Sequence, residues 1–251
     1  MKMFTDSRIN AIFCLRGGYG TSRLLTRLDY RLVRRNPKIF LGYSDITALH
    51  CALLTRAQLV SFHGPTINSD LLKGELDPFT LGSLLRTLTR PLPPGSLCAG
   101  YREKTVAVLR RGTAIGPLIG GNLSLLCTTL ATPCQPCFKG AILFLEDIDE
   151  APYRIDRMLT HLLNAGLLQQ VAGVAVGLNR NCVDPRARQR RGEYRQTVED
   201  VLKERLVPLR VPVLTGLPFG HVSHNATLPL GVRARLDATA GDLFVTEPAV
   251  R

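Results

Sequence analysis

The sequence of 251 residues contains no tryptophan, and aromatic side chains make up only 6% of it. No apolar run approaches the roughly 18 residues of a membrane-spanning helix, and the longest, at 171–178, has the length of a buried strand. The first residues lack the apolar segment of a signal peptide. These absences argue against a membrane-spanning helix, and we expect a cytosolic protein with no membrane partner.

Metal-ligand spacing is also missing from the sequence. The seven cysteines are scattered, and the closest pair, Cys134 and Cys137, has neither a second Cys-x-x-Cys nor a nearby His-x-His. Dispersed cysteines in odd number are typical of reduced thiols in the cytosol. We therefore interpret 134–137 as a loop with two thiols, with a zinc or redox site as the alternative.

Acidic residues are outnumbered by basic ones, 20 against 32, which gives a net charge of +12. Part of this excess lies at 180–195, where six arginines face only two acidic residues. The Gly, Pro and Asn within this segment favour a solvated loop. A nucleic-acid-binding arm is the alternative, but Tyr194 is its only aromatic residue, so a nucleic-acid partner is not expected. A generally basic surface favours an anionic substrate.

Apolar strands alternate with helical patterns in the first part of the chain. The predicted strands are 9–15, 38–43 and 59–63, and the predicted helices are 22–28, 30–35 and 46–54. This alternation predicts an α/β fold with a parallel, Rossmann- or flavodoxin-like sheet. Sites in such folds lie at the carboxyl ends of the strands.

The Pro- and Gly-containing stretch 91–95 interrupts this pattern and predicts a linker. We therefore expect an N-terminal domain at 1–95 and a C-terminal α/β domain with mixed strands at 96–251. Its predicted strands are 106–109, 114–119, 141–145 and 171–178, its predicted helices are 122–130, 153–163 and 196–206, and a hairpin is expected within 226–247.

Ser44 lies in Gly-Tyr-Ser-Asp, between a predicted strand and a predicted helix. A serine on a sharp strand-to-helix turn exposes its hydroxyl above the sheet, where N–H groups of the helix start can stabilise an oxyanion. The motif lacks the second glycine of Gly-x-Ser-x-Gly, and Ser is also a common helix N-cap. The local pattern alone leaves both interpretations open.

Two further reactive residues follow predicted strands. Glu146 comes directly after 141–145, and His221 follows the segment 212–220. A histidine can deprotonate a serine when a carboxylate fixes its tautomer, and the chain order Ser, Glu, His is one of the known triad orders. The alternatives are a loop carboxylate for Glu146, which has several acidic neighbours, and a simple loop residue for His221.

Longer motifs decide between these interpretations. They are AIFCLRGGYGTSRLL (11–25), NPKIFLGYSDITALH (36–50), FHGP (62–65), GPLIGGNLSLL (116–126), LFLEDIDEAPYRIDRML (143–159) and GLPFGHVSHNATLPLG (216–231). In content and order they resemble the LD-carboxypeptidases of serine peptidase family S66, which also includes microcin C immunity proteins. The resemblance covers nearly the whole chain.

This resemblance implies a role for each motif residue. The nucleophile maps to Ser44, the acid to Glu146 and the base to His221. The oxyanion hole is expected from Gly17, Gly18 and the amide of Asp45, and the pocket residues are expected to be Arg16, Tyr19, His63, Pro65 and Asn122. The implied activity is removal of the terminal D-alanine from a murein tetrapeptide, without metal or organic cofactor, by a homodimer.

Two departures from the family pattern stand out. Family members carry a further βα stretch before the segment that matches residue 9, so we expect an exposed sheet edge here. The Arg-rich segment 180–195 resembles an expanded loop. The alternatives to the main activity are therefore an amidase of the microcin-immunity type, which a pocket tryptophan would favour, and an inactive remnant.

Overall fold

The computed structural model describes residues 1–72, 74, 77–184 and 196–251 as two sheets with helices packed against them. The helices are α1 (Lys2–Thr5), α2 (Tyr30–Arg35), α3 (Thr47–Ala52), α4 (Pro78–Thr89), α5 (Leu123–Cys127), α6 (Pro152–Asn164) and α7 (Val198–Leu206). The strands are β1 (Ala11–Phe13), β2 (Ile39–Gly42), β3 (Ser61–His63), β4 (Gly95–Ser96), β5 (Ala107–Arg110), β6 (Thr113–Asn122), β7 (Ile142–Glu146), β8 (Gly173–Leu178), β9 (Val213–Gly220), β10 (Leu228–Leu230), β11 (Arg233–Asp237) and β12 (Asp242–Val245). In this part of the chain, no helix combines the length and apolar character that a membrane span requires.

The first sheet has the order β1-β2-β3-β10. Its first three strands are parallel, as the alternation of strands and helices predicts, and β10 joins them antiparallel to β3. Strand β1 pairs only with β2 among the described residues and so forms one edge. Strand β10 lies after residue 95, so the C-terminal part of the chain completes the N-terminal sheet. The division into domains at 95 and 96 remains a prediction.

The second sheet has the order β4-β12-β11-β6-β7-β8-β9-β5. Its central strands, β6 to β9, are parallel, and the strands on either side are antiparallel. The predicted α/β class with mixed strands in the second half is confirmed. The predicted hairpin near the C-terminus is β11–β12, which turns at Gly241 with a φ of 75°.

The core lies on both faces of the second sheet because side chains alternate along each strand. On β7, Leu143 and Leu145 pack with residues of the helices α5, α6 and α7. Ile142 and Phe144 point to the opposite face, where they cluster with residues of β9, β10 and β11. All four are at most 2% exposed. Burial of each such side chain stabilises the fold by about 1.5–3 kcal/mol, so β7 is held rigidly from both sides.

Three strand ends converge at one place. Strand β2 ends just before Tyr43 and Ser44, β7 ends at Glu146, and β9 ends just before His221. Because these strands belong to two different sheets, the convergence places residues from both halves of the chain side by side. The carboxyl ends of parallel strands are where open α/β sheets carry their sites.

Candidate active site

Ser44 occupies a strained turn between β2 and α3. Its φ is 65°, in the left-handed region, where a non-glycine residue costs about 1–3 kcal/mol. The fully buried His50 restrains the strand that leads into this turn. One His50 ring nitrogen lies 2.8 Å from the carbonyl oxygen of Gly42 and the other lies 2.8 Å from Ser61 Oγ. The turn therefore projects the Ser44 hydroxyl from a backbone that the sheet and α3 hold in place.

His221 joins this serine to Glu146 through two hydrogen bonds. His221 Nε2 lies 2.9 Å from Ser44 Oγ, and His221 Nδ1 lies 2.7 Å from Glu146 Oε2. An ionised carboxylate only accepts, so Nδ1 carries the proton and Nε2 is free to accept from the serine hydroxyl. The structure thus brings together the three residues that the sequence singles out, in the geometry of a Ser-His-acid relay.

Electrostatics favour a charged imidazole in this setting. Burial alone would lower the pKa of His221, but the hydrogen bond and the negative charge of Glu146, with Asp147 and Asp70 further away, raise its pKa above the ordinary value. The Glu146 side chain is fully buried, whereas that of His221 keeps 13% of its surface exposed. An imidazolium that forms during a reaction would therefore be stabilised.

The acidic neighbours of Glu146 are engaged elsewhere. Asp147 accepts hydrogen bonds from Asn122 Nδ2 at 2.9 Å and from Ser124 Oγ at 2.8 Å. The exposed Asp149 has a φ of 57°, and Glu150 pairs with Arg154 at 3.3 Å. Of these four carboxylates, only Glu146 forms a hydrogen bond with His221.

Sequence reasoning missed several contacts that shape this arrangement. The Tyr43 ring packs against the His221 ring with centroids 4.9 Å apart, and Arg180 Nη1 donates to the His221 carbonyl oxygen at 3.3 Å. Gly220 allows Glu146 to approach, because an ideal Cβ there would lie 2.9 Å from Glu146 Oε2. The glycine before His221 was visible in the sequence, but its contact depends on how β7 and β9 are placed.

Hydrogen bonds from Thr21 connect the two segments expected to form the oxyanion hole. Gly17 and Gly18 line the same cavity as Ser44. The Thr21 amide donates to the Asp45 carboxylate at 3.0 Å, and the Thr21 hydroxyl donates to the Asp45 carbonyl oxygen. Through Thr21, the loop that contains both glycines is fastened to the residue that directly follows the serine.

The serine opens into a cavity of about 270 Å³, next to a second one of about 370 Å³. The first is lined by Arg16, Gly17, Gly18, Tyr43, Ser44, Asn68, Ser69 and His221, and the second by Tyr43, Ser69, Asp70, Asp77, Thr80, Ile148, Arg180, His221, Val222 and Ser223. The two share Tyr43, Ser69 and His221. Cationic, anionic and hydroxyl groups thus line two adjacent cavities, which together we call the groove.

The expected pocket residues occupy different places. Arg16 lines the first cavity, whereas the Tyr19 side chain points into solvent and is 90% exposed. His63, Pro65 and Asn122 are buried and do not line either cavity. The Tyr43 ring packs edge-on against His63, and Asn122 caps α5 while binding Asp147. Of the three, His63 thus contacts a lining residue, Tyr43.

Two other sequence features are the cysteine pair at 134 and 137 and the Arg-rich segment 180–195. Cys134 is buried and Cys137 is exposed, both as free thiols, and no group of three or more His, Cys, Asp or Glu that could hold a metal ion occurs within the described residues. Arg180 belongs to the groove, but the remaining arginines of 180–195 lie outside the described residues.

Comparison with known proteins identifies the family. The LD-carboxypeptidase N-terminal domain matches residues 1–64, and the LD-carboxypeptidase C-terminal domain matches residues 115–236. The probable murein peptide carboxypeptidase of Bacillus subtilis is 39% identical over 256 residues, which cover 99% of this chain and 75% of that protein. The chain belongs to the LD-carboxypeptidase family. The motif resemblance is thereby confirmed, and with it the assignment to carboxypeptidases among the hydrolases.

Solved structures of LD-carboxypeptidase relatives share the fold. The muramoyltetrapeptide carboxypeptidase from Oxalobacter formigenes has a TM-score of 0.84 and 35% identity, over 98% of this chain and 82% of that one. The microcin C7 self-immunity protein MccF of Escherichia coli is 29% identical over 95% of this chain and 74% of its own length. Its complex with glutamyl sulfamoyl guanosine has a TM-score of 0.83 and 28% identity, over 100% of this chain and 79% of that one.

Proposed function

We propose that this protein is a serine LD-carboxypeptidase in which Ser44 is the nucleophile, His221 the general base and Glu146 the acid that orients it. The observation that carries the proposal is the hydrogen-bond chain from Ser44 Oγ through His221 to Glu146. His221 Nε2 takes the hydroxyl proton as Ser44 Oγ attacks the scissile carbonyl carbon. The same proton then passes to the leaving amine, which leaves an ester on Ser44.

Water completes the cycle. His221 removes a proton from the water, whose oxygen attacks the ester carbon, and returns that proton to Ser44 Oγ as the new carboxylate leaves. In both steps we assign the developing oxyanion to the backbone N–H groups of Gly17, Gly18 and Asp45. Donors already fixed where negative charge develops lower the barrier by several kcal/mol, about 2.7–4 for a single donor in other serine peptidases.

The substrate we propose is a murein tetrapeptide, cut between its L-centre and the terminal D-alanine. A relative that is 39% identical to this chain over 256 aligned residues carries the name of a probable murein peptide carboxypeptidase. The first cavity, about 270 Å³, has room for a small residue next to Ser44, and Arg16 on its wall can pair with a terminal carboxylate. The net charge of +12 favours such an anionic peptide over a neutral one.

Two alternatives differ from this proposal in what the groove would accept. A microcin-immunity type of amidase would take a peptidyl nucleotide, but the chain has no tryptophan, and Tyr43 in the groove already packs on His221. An inactive remnant would not be expected to keep the three residues in hydrogen-bond contact. The homodimer, the cytosolic location and the exclusion of a nucleic-acid partner remain predictions.

A substrate panel tests the proposal. The purified protein is incubated with murein tetrapeptide ending in D-alanine, the same peptide ending in L-alanine, and an aminoacyl sulfamoyl adenosine. We expect free D-alanine from the first and no comparable turnover of the other two. Cleavage of the nucleotide alone would support the amidase instead, and no turnover of any of the three would support the remnant.

A further inference from the structure

One oxygen of Glu146 has no visible partner. Glu146 Oε2 binds His221, but Oε1 is buried and forms no hydrogen bond with any described residue. A buried polar atom without a partner costs about 1–3 kcal/mol, and more when it carries charge. Native proteins resolve such cases with a nearby donor or with an ordered water molecule.

A suitable donor lies on Asn225. This residue is fully buried, and its Oδ1 accepts from the Gly220 amide at 3.2 Å. That bond fixes which end of the side-chain amide is oxygen, so the buried group left without a partner, Nδ2, is a donor. The backbone N–H of Asn225 donates to Thr80 Oγ1 at 2.9 Å, which anchors the residue to α4.

Gly220 is a direct neighbour of both side chains that carry the unpaired groups. Its amide is bound by Asn225, and an ideal Cβ on it would lie 3.0 Å from Glu146 Cβ. Asn225 and Glu146 therefore flank the same residue, the one that precedes His221. One group can only donate and the other can only accept, so a water molecule between them would satisfy both.

We propose that Asn225 is a positioning residue of the catalytic site, which holds Glu146 Oε1 through one buried water and holds His221 through the Gly220 amide. The inference rests on the proposed function, because it assigns Glu146 and His221 their roles. A single side chain then sets both partners of the catalytic hydrogen bond. It acts on the reaction only through them, since Asn225 does not line the groove.

The charged surroundings of His221 define a specific readout. Glu146 ends β7 and Asp147 follows it, Asp70 lies before α4, and Tyr43 follows β2. Arg180 follows β8, and the neutral His63 lies on β3. When Glu146 loses a hydrogen-bond donor, its negative charge is less compensated and stabilises the protonated form of His221 more strongly. The acidic limb of the pH profile of kcat/KM then moves to higher pH, which a purely structural residue would not cause.

The experiment compares the pH profiles of wild type, Asn225→Asp, Asn225→Ala and Thr227→Val. The Asp variant keeps the acceptor for Gly220 but turns a carboxylate oxygen towards Glu146. We therefore expect the acidic limb of its kcat/KM profile to move up by about one pH unit, so that kcat/KM below the limb falls roughly tenfold. The Ala variant should shift in the same direction by less, with a lower kcat and a similar KM. Thr227→Val removes another buried hydroxyl without a partner in the same segment and should keep the wild-type profile.

Folding is checked for each variant by thermal denaturation. If the Asp variant does not fold, the acidic limb of the kcat/KM profile of the Ala variant tests the inference. Wild-type limbs and kcat in the folded Asn225 variants would overturn the inference while leaving the proposed function intact. If the wild-type protein itself released no D-alanine, that result would instead count against the proposed function.

Discussion

Gly17 lies so close to Ser44 that no side chain fits between them. An ideal Cβ on Gly17 would lie 2.8 Å from Ser44 Cβ and 3.0 Å from Ser44 Oγ. The neighbouring Gly18 has a φ of 127°, which disfavours any residue with a side chain. The backbone of this loop can therefore approach the serine as closely as an oxyanion hole requires.

Gly17→Ala should lower kcat by about a hundredfold or more, because the new methyl group displaces either Ser44 or the loop that carries the expected oxyanion donors. Steady-state kinetics on the tetrapeptide measure this effect. Gly82→Ala in α4 is the matched control, since its Cβ would meet only the end of the Arg86 side chain at 3.4 Å. Comparable losses in both variants would show that the contact with Ser44 has no special role.

Glu146→Gln should reduce kcat by about four orders of magnitude, since an amide cannot fix the productive tautomer or stabilise the imidazolium. Asp149→Asn should retain activity within a few-fold, because Asp149 is exposed and Asn tolerates its left-handed backbone. Both variants are compared in one D-alanine release assay. The reverse order of effects would show that Glu146 is not the acid that orients His221.

The proposed triad could be predicted because all three residues follow apolar runs that the sequence shows clearly. Ser44, Glu146 and His221 each come after an apolar run, and the ends of parallel strands meet at one edge of a sheet. The sequence alone could not establish that they touch, since their strands belong to two sheets. The family motifs supplied that information, and the hydrogen bonds agree with it.

Contacts that depend on packing were beyond the reach of sequence reasoning. Strand β10 has only three residues and completes the first sheet from far along the chain, and α4 was not predicted at all. His63 was expected in the pocket because its motif resembles the family, but Tyr43 covers it. Asn225 carried no signal of its own, because its proposed role depends on two unpaired atoms, one on Glu146 at the end of β7 and one on Asn225 between β9 and β10.

The pH dependence of activity follows from the raised pKa of His221. Only the neutral imidazole can accept a proton, so activity is lost as the pH falls through this pKa. Since Glu146 raises it, the acidic limb of kcat/KM should lie above the ordinary histidine value of about 6.5. A pH profile between 5 and 9 measures the limb, and a limb clearly below about 6 would contradict the pairing with Glu146.

The stability of the fold should decrease in mild acid because of His50. Burial lowers the pKa of His50 to about 4, so the folded protein keeps it neutral while the unfolded chain takes up a proton below about 6.5. The free energy of unfolding therefore falls as the pH drops, by about 2 kcal/mol between pH 6.5 and 5 from this residue. The buried His63 acts in the same direction, and His221, whose pKa is raised, acts in the opposite one.

Comparison with His50→Gln isolates this contribution. Urea denaturation at pH 7.5 and at pH 5 gives the pH dependence of each protein, and the variant should show the smaller loss. Because Gln cannot be protonated, the pH dependence of the variant's free energy of unfolding comes from the other titratable groups only. Equal losses in the two proteins would show that His50 is not the buried neutral histidine described here.

The nucleophile assignment is the central claim, and Ser44→Ala tests it most directly. Release of D-alanine from murein tetrapeptide by this variant and by the control Ser7→Ala, at an exposed serine, is compared with wild type. We expect Ser44→Ala to lose at least about three orders of magnitude in kcat without a change in thermal stability beyond a few degrees, and Ser7→Ala to match wild type. Activity of Ser44→Ala within tenfold of wild type would contradict the proposed mechanism.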